Sequence, residues 1–254
     1  GTSSNLCVRY PSAGNSKLTA AFTYTWDATT TGGRFASNDD AWWWFDPSTG
    51  TLYLGAVSSS SNKKVTETGT ALPWRSIVGT GKIISVVTQN GLAPASMDSW
   101  FCDSTYHANM TTFDGSGLDL SSCTSLASAF NGCAALTSVA NIGAWNVSRV
   151  TTFVSMFYGL KNLPSLDLSA WDMTSIHAAA VDGRTAAPAT TNMFYDLRVL
   201  TTLKLGPACI VAGSAIDSIS TRKGKARMIS TMRMMMSCMR SRLRCATRSE
   251  MSVA

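Results

Sequence analysis

The chain has 254 residues, 45% of them apolar, enough for the core of one large domain or two small ones. Charged residues make up only 14%, while Ser and Thr together number 64, so hydroxyls must cover much of the surface. That composition excludes a charge-driven disordered chain and a collagen-like one, and no apolar run reaches the length of a transmembrane helix. The net charge of +6 is unevenly placed: residues 1–220 carry 12 Lys/Arg against 14 acids, and residues 221–254 carry nine against Glu250 alone.

Residues 1–17 are polar, read as a flexible leader, and show no signal-peptide pattern. Residues 18–72 are expected to form a β-hairpin region. Alternation from Phe22 to Trp26 predicts a half-buried strand. Two apolar stretches then flank Asp46-Pro47-Ser48-Thr49-Gly50, where Pro fixes φ, Gly permits positive φ and Asp bonds back to the backbone: a hairpin loop. Trp42, Trp43 and Trp44 precede it. Either they form a sugar-stacking platform, or alternate rings face a core and one is left at a rim. Residues 58–70 read as a polar linker. Ile83 to Val87 is a nearly continuous apolar run, expected as a strand buried on both faces. Gly79-Thr80-Gly81-Lys82 lacks the first glycine and the final hydroxyl of a phosphate-binding loop, so it reads as a turn.

The strongest signal is internal repetition. Phe130, Cys133, Leu136 and Val139 recur as Phe157, Leu160, Leu163 and Leu166, and again as Phe194, Leu197, Leu200 and Leu203. Trp145 and Trp171 follow at matching places, and a weaker first copy begins at Trp100-Phe101. The Phe spacings are 29, 27 and 37 residues. A unit of this size cannot bury its apolar side alone. The expectation is therefore an α/β solenoid over residues 73–210, with leucine-rich-repeat-like coils, short parallel strands and stacked Phe and Leu. The longest unit carries about ten extra residues within 177–191, read as a loop.

The motifs Met156-Phe157, Leu163, Leu166-Asp167-Leu168-Ser169 and Trp171-Asp172, then Met193-Phe194, Leu200, Leu203 and Leu205, resemble the BspA-type leucine-rich repeat family of bacterial surface proteins. The resemblance covers about residues 72–206. Ala129-Phe130 and the Asn141–Ala144 region depart from the pattern. It implies a secreted or cell-surface protein of a host-associated microbe that mediates adhesion, and a piece of a longer array.

Candidate ligand-binding residues are those expected to point out of the repeat strands. They are Asp119, Thr137, Ser138, Ser165, Asp167, Ser169, Thr202 and Lys204, a stripe of hydroxyls and acids. The alternative use of such acids is to satisfy turn backbone. Trp42 and Trp44 are the candidates for a second reading, a carbohydrate-binding module. Nucleic-acid binding through the basic tail is a third. That tail, residues 211–254, holds seven of the 12 methionines among its basic residues. It reads better as a disordered appendage, a frame error or a fragment end than as a nucleic-acid arm. No catalytic residue, metal ligand or cofactor is expected. The seven cysteines form no Cys-x-x-Cys pair, the two histidines sit in no nucleophile motif, and buried thiols are favoured over disulfides, Cys123–Cys133 being the pair hardest to exclude. The expected partner is a host or neighbouring-cell surface protein or glycan, without a membrane span.

Overall fold

A computed structural model describes residues 31–75, 78–102, 105–176 and 189–211 together with residue 215. The expectations for the leader, for Phe22–Trp26, for residues 177–188 of the inserted loop and for all but residues 211 and 215 of the basic tail lie outside these residues. Ten strands order the described chain: β1 (Thr31–Phe35), β2 (Asn38–Asp46), β3 (Thr51–Ala56), β4 (Lys64–Val65), β5 (Ser85–Gln89), β6 (Ala93–Pro94), β7 (Thr112–Asp114), β8 (Ser138–Ala140), β9 (Ser165–Leu168) and β10 (Thr202–Leu205). Six form one mixed sheet in the order β1-β2-β3-β5-β7-β8, and β10-β9 and β4-β6 form two short parallel pairs.

The hairpin forms as its sequence dictates. β2 and β3 pair antiparallel from Ala41↔Ala56 to Asp46↔Thr51. The Asp46 carboxylate accepts the backbone N–H of Ser48 at 2.9 Å and the hydroxyls of Ser48 and Thr49, and Gly50 turns the chain at φ +69°. From β3 onward the sheet is parallel: β3 pairs with β5, β5 with β7, and β7 with β8. Each step returns the chain through turns and lays it against its predecessor.

The expected α/β solenoid of leucine-rich-repeat-like coils is overturned. The described chain is mainly β, and its complete helical elements are two single 3-10 turns, Gly69–Ala71 and Ile142–Ala144. The backbone supplies the reason. Ser99, Ser128, Ser155 and Asn192 all take positive φ, between 54° and 57°, each two residues before a Phe of the series. Gly132, Gly159 and Asp196 do so two residues after it. Left-handed residues at both ends of so short a stretch leave tight turns and no room for the helix that an α/β coil would carry. The strand expected to be buried on both faces is also corrected. β5 alternates buried Val86 and Thr88 with half-buried Ser85, Val87 and Gln89, and Ile84 just before it is exposed.

One core runs through the described residues. Phe101, Phe130, Phe157 and Phe194 stack face to face at centroid separations of 5.6, 6.2 and 6.0 Å, and Trp74 extends the series at 6.1 Å from Phe101. Trp145 and Trp171 stack beside them at 6.4 Å. Three of the buried indole N–H groups donate to a carbonyl of an earlier segment: Trp100 to Glu67, Trp145 to Gly115 and Trp171 to Ile142, whereas the buried N–H of Trp74 meets no acceptor among the described residues. Gly115 must be glycine, because a Cβ there would meet the Trp145 ring at 2.6 Å.

Candidate functional site: the outer strand face

Alternation along the strands sends Phe35, Trp43, Phe45, Leu52, Leu54, Val86 and Phe113 inward. Their neighbours therefore turn to the other face, and register arranges them in rows. Arg34, Trp42, Gly55 and Gln89 form one row across β1, β2, β3 and β5. Gly32, Trp44, Tyr53, Val87, Asp114 and Ala140 form the next. Thr51, Ser85, Thr112 and Ser138 form a third. The tryptophan run alternates, but with one ring inward rather than one left at a rim: Trp43 takes the core position, while Trp42 and Trp44 are half-buried on the outer face.

Those two rings are held differently. Trp44 stacks on Tyr53 with centroids 5.2 Å apart and planes 22° from parallel. Trp42 lies over Gly55, where an added Cβ would come 2.5 Å from Cζ2 and 2.9 Å from Cε2 and Cη2. The ring occupies the space that a side chain at residue 55 would fill.

Ser138 joins Trp42 and Trp44 on this face. Thr137 lies immediately before it and donates its hydroxyl to the Thr111 carbonyl at 3.0 Å. Asp119 lies on a different segment, after β7, with its N–H bonded to the Leu92 carbonyl. Ser165, Asp167, Thr202 and Lys204 belong to the β9–β10 pair, where Ser165 faces Thr202 and Asp167 faces Lys204, and Ser169 follows β9. All eight stripe residues are exposed. The candidates thus divide between the large sheet and the smaller one. Arg34, Tyr53, Ser85, Gln89, Thr112 and Asp114 join the face without having been singled out from sequence. Only the two-residue period and the cross-strand register place them there.

Much of the polar surface is engaged with the backbone. Thr111, Thr124, Thr137, Thr151 and Thr201 each donate a hydroxyl to a carbonyl one segment back, at 3.0–3.3 Å. Asp114, Asp119, Asp167 and Asp172 each accept the backbone N–H two residues on. These bonds set the charge state. The Ser169 hydroxyl, and then the Lys204 ammonium at 2.9 Å, hold the Asp167 carboxyl down to about 2. Burial works against ionisation of Asp114, but the Ser116 N–H and the Asn141 amide outweigh it and lower its pKa. Cys123, Cys133 and Cys209 are buried thiols rather than disulfides, donating to the carbonyls of Ser125, Phe101 and Leu168. Among the described residues no group of three His, Cys, Asp or Glu converges as a metal site. No helix among them is long and apolar enough to cross a membrane.

The described residues define a mainly β arrangement of short strands and turns, with a hairpin at one edge of its sheet and a polar and aromatic face turned outward. Residues 95–182, about a third of the chain, match a family model described as a Mycoplasma protein of unknown function, DUF285. No curated protein and no solved structure matches significantly. The expected membership of the BspA-type leucine-rich repeat family is overturned by this match. The residues that carried the resemblance have a general physical use. Leu163, Leu166 and Leu168 pack inward, and Asp167 and Asp172 cap turns. Any stack of short strands and tight turns has those needs, so the pattern does not single out the leucine-rich repeat.

Proposed function

We propose that the chain is a non-enzymatic binding module of an extracellular or cell-surface protein, and that it engages a ligand on a neighbouring cell or matrix through its outer strand face. One observation carries the reading. A continuous face of the six-stranded sheet carries half-buried Trp42, Trp44 and Tyr53 together with Ser85, Thr112, Ser138 and Asp114, in adjacent rows. Aromatic anchors beside small hydrogen-bonding groups on rigid strands suit recognition. The carboxylates favour binding over acid–base chemistry. Asp46, Asp114, Asp167 and Asp172 are all shifted downward by turn hydrogen bonds, whereas a general acid near neutral pH needs an upward shift. A surface rich in hydroxyls and poor in charge agrees with a place outside the cell.

The test is binding of the full chain to immobilised matrix proteins, mucins, glycans and DNA at two salt concentrations. The expected result is binding to a protein or glycan that changes little with salt and weakens in Thr112→Ala/Ser138→Ala or Trp42→Ala. Binding confined to DNA and lost at high salt would refute the reading, since that is the signature of cations neutralising phosphates.

A further inference from the structure

Trp42 is set apart from the other described tryptophans. Trp43, Trp74, Trp100, Trp145 and Trp171 are core residues, and Trp44 is stacked on Tyr53. The Trp42 ring instead lies on the backbone of Gly55, on the half-exposed face. A ring laid on a glycine keeps its opposite face directed away from the sheet. Its surroundings are polar. Arg34 is its cross-strand partner on β1, Asp40 stands two residues earlier on β2, and Gln89 lies beyond Gly55 on β5. The Asp40 carboxylate is already oriented by the Ser60 hydroxyl. With strands about 4.8 Å apart, the row from Arg34 to Gln89 spans roughly 14 Å, and its two central places hold only the indole and a glycine. The stacked Trp44–Tyr53 pair stands about 7 Å along the strands and walls one side.

We propose that this arrangement is a carbohydrate site for a neutral hexopyranose unit, with Trp42 as its stacking platform and Arg34, Asp40 and Gln89 as its polar rim. A pyranose ring has an apolar face of C–H groups and a rim of hydroxyls. A flat indole receives the first, and planar donors and acceptors receive the second. The guanidinium of Arg34 and the carboxylate of Asp40 offset one another in charge, which favours a neutral sugar over an acidic one. The inference rests on the preceding reading, that the outer face binds a ligand, and names the ligand class for one part of it.

The probes are immobilised oligosaccharides ending in galactose, glucose or N-acetylglucosamine, with sialylated and sulfated counterparts beside them. The full chain is expected to bind a neutral member. Trp42→Ala should weaken binding at least about tenfold, as for a central aromatic anchor, while Trp42→Phe keeps part of it. Gly55→Ala removes no polar group, yet its Cβ must lift the ring, so it should weaken binding to a similar degree. Circular dichroism reports whether each variant folds. In the unaltered chain, the bound oligosaccharide should shield Trp42 from oxidation by N-bromosuccinimide, read by peptide mass. Three results would overturn the inference: unchanged affinity in folded Trp42→Ala and Gly55→Ala, no shielding of Trp42, or a preference for acidic glycans that salt abolishes. If binding is then lost in Thr112→Ala/Ser138→Ala, the outer-face reading stands without this site. If no outer-face substitution affects any ligand, both fall.

Discussion

Phe130 sits at the centre of the aromatic stack, and its removal tests whether that stack holds the array together. Its side chain is fully buried. Its ring lies 5.6 Å from Phe101 and 6.2 Å from Phe157 face to face, and 4.9 Å from Phe113 edge on. Phe→Ala in a packed core costs about 3–5 kcal/mol, and paired rings add about 0.5–1.5 kcal/mol beyond burial. Phe130→Ala belongs at the upper end, about 5 kcal/mol, because rings flank both its faces and neither neighbour can close the gap without leaving its other partner. For a chain of this length that lowers the melting temperature by roughly 10–20 °C. Urea unfolding followed by tryptophan fluorescence measures it. The double-mutant cycle with Phe157→Ala separates stacking from plain burial and should give a coupling of about 1 kcal/mol or more. A loss below about 2 kcal/mol, or no coupling, would refute the view that successive segments are locked by their rings.

Gly206→Ala should be among the most damaging small substitutions, since its Cβ would fall 1.8 Å from the Ser169 carbonyl oxygen; expression yield and melting temperature report it, and a neutral result would contradict the backbone packing at the β9–β10 exit. For Glu67, burial opposes ionisation, but the N–H and hydroxyl of Ser37 and the N–H of Thr66 more than compensate and hold its pKa below 4.5. A folded-state pKa below the unfolded one contributes stability above the unfolded value that disappears as pH falls through the folded value. Glu67→Gln should therefore be less stable at pH 7 and flatten the acid limb of the stability profile, measured by denaturant midpoints from pH 7 to pH 3. Burial pushes the Cys123 thiol up to about 11 and raises those of Cys133 and Cys209 as well, so all three should resist iodoacetamide at neutral pH until the protein unfolds. Labelling of the native protein at these positions, read by peptide mass, would count against their burial.

The parts of this fold legible in the sequence are those where one side chain repeats one task. Phe130, Phe157 and Phe194 announce their stacking through spacing alone, and Trp42 and Trp44 declare a face through alternation with Trp43. Trp74 belongs to the same stack, but a different ring type and the absence of the leucine pattern hide it. The left-handed turns at Ser99, Ser128, Ser155 and Asn192 are just as regular. Serine reads as a surface hydroxyl, and nothing in its chemistry requires positive φ, so spacing alone leaves a turn and a short helix equally open where turns stand. β5 was misread because Ile83, Ile84, Val86 and Val87 look like one buried run, and only the pairing with β3 reveals which of them face outward. The outer face itself was half legible. Single residues could be marked as outward, but the row that joins Arg34 to Gln89 exists only through strand register.

The stack is also indifferent to how much chain lies between its rungs. Phe130 and Phe157 are 27 residues apart and Phe157 and Phe194 are 37 apart, yet the ring separations are 6.2 and 6.0 Å. The entropy of closing a flexible loop grows only with the logarithm of its length, so a connection of 37 residues would cost only about 0.3 kcal/mol more than one of 27. Length variation between rungs is therefore close to neutral for stability, while a change at a rung is not. Such a chain can lengthen or shorten its connections from one lineage to the next and leave the spacing of its strands unaltered.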